Sequence, residues 1–553
     1  MTLDYGLRLV RQQPPHDTMG QASNFFPERW SPSDAPLLYV PGCANGVYPC
    51  SGANRQAMDP RTGAFLGPNS TLAIGSLVPD SGNPTNGLIR QGQGISTTNF
   101  VWPRLAVAPR FGIAFDVRGD QRLVVRGGTG IFYDRPNAST TTPAAGNPPT
   151  SRNVTVRYGQ LQTLGSAGLT TEGAPALGGL WVYDPGGLPT SVQWNGGMQR
   201  MLPWAVSVDV SYVGQRSFNE VQTVNLNALD FGTAFLPASQ DPTLQASSTP
   251  GATALSADLL RPLRGYSTIT QMRQDGWRTY HSLQISFQRR FRNGFSFGFN
   301  DTISLSDRQS TAPRLQHLPD GSFSVRDDQA AADRLLGSAV ANRQVFKGNF
   351  VWDLPDVRSS QSALRTLGLL VNGWQLSGIW TAATGAPYIV GSSYQSGGSS
   401  LNLTGSPDYG ARVRLVGDPG SGCGGDVHRQ FNTAAFEGPL VGSVGLESGN
   451  DYLRGCFTSV FDLAIARNVR LGSGRNLQLR VDMFNAPDAA IVAGRNATLN
   501  LSSPSDPVTP SNLPFDANGN LIDARSRPRG AGFGVANNYQ TPRNVQVQIR
   551  FSF

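Results

Sequence analysis

The last ten residues, Asn544 to Phe553, constrain the chain most, because every odd position is apolar and every even position is polar. An extended strand sends alternate side chains to opposite faces. One face is therefore Val545, Val547, Ile549, Phe551 and Phe553. The other is Asn544, Gln546, Gln548, Arg550 and Ser552. A soluble sandwich could use one such strand. The same alternation returns in pairs along the whole chain, and that repetition decides the fold class.

Thr2–Val10 sets Leu3, Tyr5, Leu7 and Leu9 against Asp4, Gly6 and Arg8. A segment rich in Pro, Gly, Ser and Asn follows, over residues 13–102. Then Arg104–Arg118 and Arg122–Arg135 flank Gly119-Asp120-Gln121, as a hairpin does. Ser191–Met201 and Ala205–Ser217 make a second hairpin across Leu202-Pro203-Trp204. A long strand ending at Phe291 pairs with Phe295–Asp307 through Arg292-Asn293-Gly294, and Asn-Gly is a strong hairpin signal. Arg343–Leu354, Val371–Tyr388, Cys456–Arg470 and Asn476–Asn485 keep the same phase before the terminal strand. The count is about twelve strands, with shorter and longer connections alternating, which is the asymmetry of a membrane β-barrel.

Composition agrees. Charged residues are 15% of the chain, below the roughly 25% of an average soluble domain. No apolar run approaches the ~18 residues of a membrane helix. With 64 Gly and 39 Pro the chain favours turns over helices. Strands can cross lipid only in a closed barrel, where every backbone group is paired. Tyr5, Tyr133, Trp204, Tyr212, Trp352 and Tyr388, near strand ends, suit interfacial girdles.

The net charge of +8 raises nucleic-acid binding. Its arginines are scattered singly, without a basic run interleaved with aromatics, so no nucleic-acid partner is expected. Lys347 is the only lysine. Cys43/Cys50 and Cys423/Cys456 form two local pairs near external loops, where disulfides are compatible with an oxidising compartment; free thiols remain the alternative.

The four histidines, His16, His281, His317 and His428, lack metal-ligand spacing. No nucleophile elbow or phosphate-binding loop is present. Gly127-Gly128-Thr129-Gly130 lies inside a strand and reads as close packing or a bend. Asp327-Asp328 and Asp516 to Asn520 look like loops rather than calcium sites. The expectation is no enzyme activity, no catalytic residue, no cofactor and no metal. Arg8, Arg110, Arg126, Arg480 and Arg550 share the polar face, where they can attract anions or pair with Asp4, Asp116, Asp209 and Asp482.

Several stretches resemble the barrel of the TonB-dependent receptor superfamily, in particular its Oar-like branch. They are Pro109 to Asp116 with Val125 to Arg135, Asn372 to Gly378, Phe431 to Phe436, Leu477 to Asn485, and the terminal Arg550-Phe551-Ser552-Phe553. The resemblance implies a roughly 22-stranded outer-membrane barrel with an N-terminal plug. It implies energised uptake through TonB. It also implies that Phe551 and Phe553 are the signal read by the barrel-assembly machinery.

The chain shows no signal peptide, no plug and no recognisable TonB box. Residues 1–553 are therefore expected to be the C-terminal part of an all-β, antiparallel outer-membrane barrel. Its expected surroundings are outer-membrane lipid, the assembly machinery, TonB through the missing N-terminal region, and an unknown extracellular ligand. The alternatives are an adhesion or secretion-linked barrel whose loops bind a partner, or a non-functional receptor fragment.

Overall fold

A computed structural model of the chain is organised on one antiparallel sheet. The structure describes all residues except 15, 96–97, 99–102, 136–141, 152–175, 184–185, 358–367, 369–370, 397–398, 402 and 473. Twelve strands succeed one another across the sheet in sequence order. They are β1 (Thr2–Val10), β2 (Ala106–Asp116), β3 (Leu123–Tyr133), β4 (Thr190–Leu202), β5 (Val206–Asn225) and β6 (Ile269–Arg292). The rest are β7 (Phe295–Gln309), β8 (Gln344–Asp353), β9 (Trp374–Ala383), β10 (Thr458–Gly472), β11 (Arg475–Phe484) and β12 (Asn544–Ser552). A short strand, Leu180–Tyr183, lies parallel to the start of β6.

Register converts the alternation into two faces. One row runs Val547, Val481, Ile465, Leu376, Trp352, Phe295 across six strands. The row behind it runs Gln546, Asp482, Ala464, Ser377, Val351, Ser296. A one-residue slip in any strand would exchange these faces, so the pattern itself fixes the pairing.

One edge of the sheet has tight turns. Asn293 and Gly294 both take positive φ (52° and 74°), the mirror-image hairpin turn that matches strand twist. The Asp116 carboxylate accepts from the amides of Arg118, Gly119 and Gln121 (3.3, 3.0 and 2.8 Å) and shapes the β2–β3 turn. The other edge carries the long connections.

The described residues of those connections carry short strands and turns of their own. They pack into a layer with its own apolar clusters. One cluster joins Phe25, Leu180, Val224, Leu226, Tyr266, Ile269 and Leu315. Another joins Val390, Tyr394, Phe431, Phe436, Leu499, Leu501 and Phe533. β5 extends to Asn225, past the expected end at Ser217, because its far half pairs with β6 inside this layer. Most fully buried large side chains of the protein lie here and not in the sheet.

The sheet's edges are β1 and β12, and the two are not paired with each other. Tyr5 is 82% exposed on β1 and Val547 is 72% exposed on β12.

Candidate functional site: the polar wall and its loop layer

The polar face of the sheet is built from small and neutral side chains, with few charges. Arg126 donates to Asp209 at 2.6 Å and also to Gln199. Arg480 donates to Asp482 at 2.7 Å on the same strand. Arg110 instead lies over the Phe132 ring at 4.7 Å. Asp116 is committed to its turn, and Arg8 and Arg550 make no ion pair among the described residues. The expected cross-strand pairing thus holds for Arg126 and Asp209 alone. Lys347 stands exposed on this face, between Asn300 and Thr381. Gly127 faces Gly196 and Gly128 faces Gly112, so the glycine run lets three strands approach closely.

The loop layer beside this wall is held together by a few buried polar anchors. Asp408 accepts from Asn225 Nδ2 (2.8 Å), Leu229 N (2.8 Å) and Arg261 Nη1 (3.0 Å). Asn227, fully buried, donates to the carbonyls of Leu263, Tyr266 and Ser267. Residues 226–268 and 384–457 are thereby locked together. Cys43–Cys50 and Cys423–Cys456 are both disulfides in this layer.

Where three connections meet, a cavity of about 380 Å³ is lined by Phe231, Arg314, Tyr409 and Arg412. Phe231 and Tyr409 stack at 4.5 Å. Arg314 and Arg326 lie over Phe231 at 4.8 and 4.6 Å, and both contact Asp328 (3.2 and 3.0 Å). Burial pushes the Arg314 guanidinium down from its usual value, and Asp328 opposes that shift. Guanidinium groups beside stacked rings offer both charge-assisted hydrogen bonds and flat apolar surface. Sequence reasoning missed this group. Its members come from distant segments, and none has a local signature.

The other expected positions are dispersed. His281 Nδ1 is 2.6 Å from the Tyr212 hydroxyl and its ring meets Trp194 edge-on, at the loop-side end of the apolar face. His317 contacts Asp230 (3.2 Å) and His428 contacts Asp426 (3.4 Å). The Asp516 carboxylate is held low chiefly by the Asn520 amide, and it closes its own turn. Tyr388, expected in a girdle, is instead in the loop layer with its hydroxyl on Gly422 O (2.7 Å) and Arg495 over its ring. β9 ends at Ala383, and Pro387–Tyr388 pairs instead with Leu453–Arg454 as a separate two-stranded ladder in the loop layer. Phe551 and Phe553 stack at 5.8 Å on the β12 edge, and Phe553 is 95% exposed.

Buried phenols give the layer a pH signature. Burial pushes Tyr266 and Tyr388 well up, and Tyr394 up to about 12. An unfolded phenol ionises near about 10, so the unfolded state loses its proton first. Stability is full below that value and is lost as pH rises through the folded value. Limited proteolysis between about pH 10 and 12 is expected to open the loop layer while the sheet persists. Loops that stay resistant throughout that window would contradict this.

A sheet with one mainly apolar face, tight turns at one edge and long connections at the other is the wall of a membrane-spanning β-barrel. The family model described as "Outer membrane beta barrel domain" matches residues 1–546, and the chain belongs to that family. The protein is thus an outer-membrane protein. Similar solved structures include the outer membrane transporter YddB from Escherichia coli (9% identity, 80% of this chain, 40% of that chain, TM-score 0.37). Others are a variant of the ferric enterobactin receptor PfeA from Pseudomonas aeruginosa (12%, 81%, 40%, 0.37) and the siderophore receptor PirA from Acinetobacter baumannii (11%, 71%, 38%, 0.33). The chain spans about 40% of the first of these structures. No curated protein matches it.

Proposed function

We propose that the chain is the wall and lid of a TonB-dependent, Oar-like outer-membrane receptor that takes up a bulky solute. The observation that carries this reading is the packed loop layer at one edge of the sheet, which has its own apolar core and holds an arginine and aromatic cavity. That chemistry suits a solute with anionic or planar groups, such as an acidic glycan fragment, a peptide or a chelate. Long connections held in defined positions are where a barrel places recognition. The driving energy would reach the wall through TonB acting on a plug that precedes these strands in the full-length receptor. Phe551 and Phe553 would serve as the edge read by the barrel-assembly machinery.

The test compares cells carrying the complete gene, cells lacking it, and cells lacking TonB. Each is supplied with a mixture of glycan fragments, peptides and metal chelates, and depletion of each solute is followed. Loss of one depletion in both deletion strains is expected. Depletion that survives without TonB would reject energised uptake, and binding without depletion would favour an adhesion barrel.

A further inference from the structure

We propose that Arg200 and Arg289, beside the Trp204 turn, form a binding site for the headgroup phosphate of an anionic phospholipid. Both lie on the apolar face, where an arginine is unexpected. Arg200 stands in register with Leu123 and Val208, and Arg289 with Val206 and Phe297. Both are next to the tight-turn edge, since Arg200 precedes the end of β4 at Leu202 and Arg289 faces the first residue of β5. Only β5 separates them, with an offset of two residues along it (Val208 against Val206), so their backbones stand about 12 Å apart and two long side chains can reach one headgroup. Long basic side chains on a lipid-facing surface place their charge at the headgroup level.

The charges are uncompensated. Arg289 donates to the Trp204 carbonyl (3.2 Å) and the Phe295 carbonyl and lies over the Phe295 ring, all neutral groups. Neither Arg200 nor Arg289 has a carboxylate partner among the described residues. The loop side differs, for Arg55, Arg261, Arg278 and Arg454 each contact an aspartate at 2.6–3.0 Å. At the turn edge Arg122 contacts Asp120 at 3.8 Å, while Arg118, Arg290 and Arg292 have no such partner among the described residues and add positive potential around the site. Trp204, 82% exposed in the turn with φ 61°, supplies the flat amphipathic ring that settles at a membrane surface. Positive charge, no internal counter-ion and an apolar surround are complementary to a phosphodiester above acyl chains. The inference rests on the outer-membrane barrel fold and is independent of the transport reading.

The experiment uses the protein expressed from the complete gene and extracted from outer membranes in neutral detergent. Native mass spectrometry compares retention of phosphatidylglycerol and phosphatidylcholine. A preference for phosphatidylglycerol is expected, falling about fivefold per arginine removed in R200Q and R200Q/R289Q. R200K/R289K should keep most of it, and R527Q, in an exposed loop, should not change it. Heat-modifiable migration checks that each variant is folded, and R200Q alone carries the test if the double variant is not. Equal retention of the two lipids by the parent chain overturns the proposal. So does an unchanged preference in the folded variants. Complete displacement by inorganic phosphate would make this a site for free phosphate instead, and would also overturn it.

Discussion

Val481→Arg is expected to cost about 2–4 kcal/mol and to remove the compact, heat-modifiable form of the protein from outer membranes. Val481 is on the apolar face, in register with Ile465 on one side and Val547 on the other. It sits well inside β11, so a guanidinium there has apolar neighbours on both flanking strands. An arginine near the turn edge can reach headgroups, whereas one at this depth must either stay in hydrocarbon or distort the wall. The matched control is Gln546→Lys, on the opposite face and in register with Asp482. It is expected to change stability by no more than about 0.5 kcal/mol. The measurement is the fraction of unheated protein that migrates as the compact band. Equal losses in the two variants would mean that the faces are assigned wrongly.

The second large effect belongs to the loop layer. Phe533→Ala is expected to cost about 3–5 kcal/mol, the usual loss for emptying a buried aromatic site. Phe533 is fully buried, with Phe431 at 5.1 Å and Phe436 at 6.1 Å, both edge-on. These rings belong to two connections that backbone hydrogen bonds also tie together, from Gln430 N to Gly534 O (2.9 Å) and from Ala536 N to Val427 O (2.7 Å), so a void among the rings has little backbone free to fill it. The loss should be confined to the layer. Rapid protease cleavage within residues 384–457 and 485–543 is expected, while the compact band persists. If the band disappears with the loops, the layer and the wall form a single cooperative unit.

The wall was legible in the sequence because a strand writes its faces in consecutive residues. Val545 to Phe553 declares a face without reference to anything else, and Asn293-Gly294 declares a turn. The loop layer was not legible, because its clusters take one or two residues from each of several distant segments. Phe25, Leu180, Tyr266 and Leu315 form one core, yet each sits in a stretch that reads as turn. The candidate cavity failed for the same reason, with Phe231, Arg314 and Tyr409 on three connections. Tyr388 misled in the opposite direction. It continues an alternating pattern, but the main-sheet strand ends at Ala383 and Tyr388 pairs with Leu453 in the loop layer.

Lys347, exposed on the polar face between Asn300 and Thr381, makes the inner wall chemically addressable. The N-terminal amine aside, an amine-directed reagent has a single covalent target in the whole chain. A dye coupled there would report from the interior of the wall without an introduced cysteine disturbing either disulfide. A protease that cuts only after lysine has one bond to cleave, between Lys347 and Gly348, so its access would measure how far the polar face can be reached from outside.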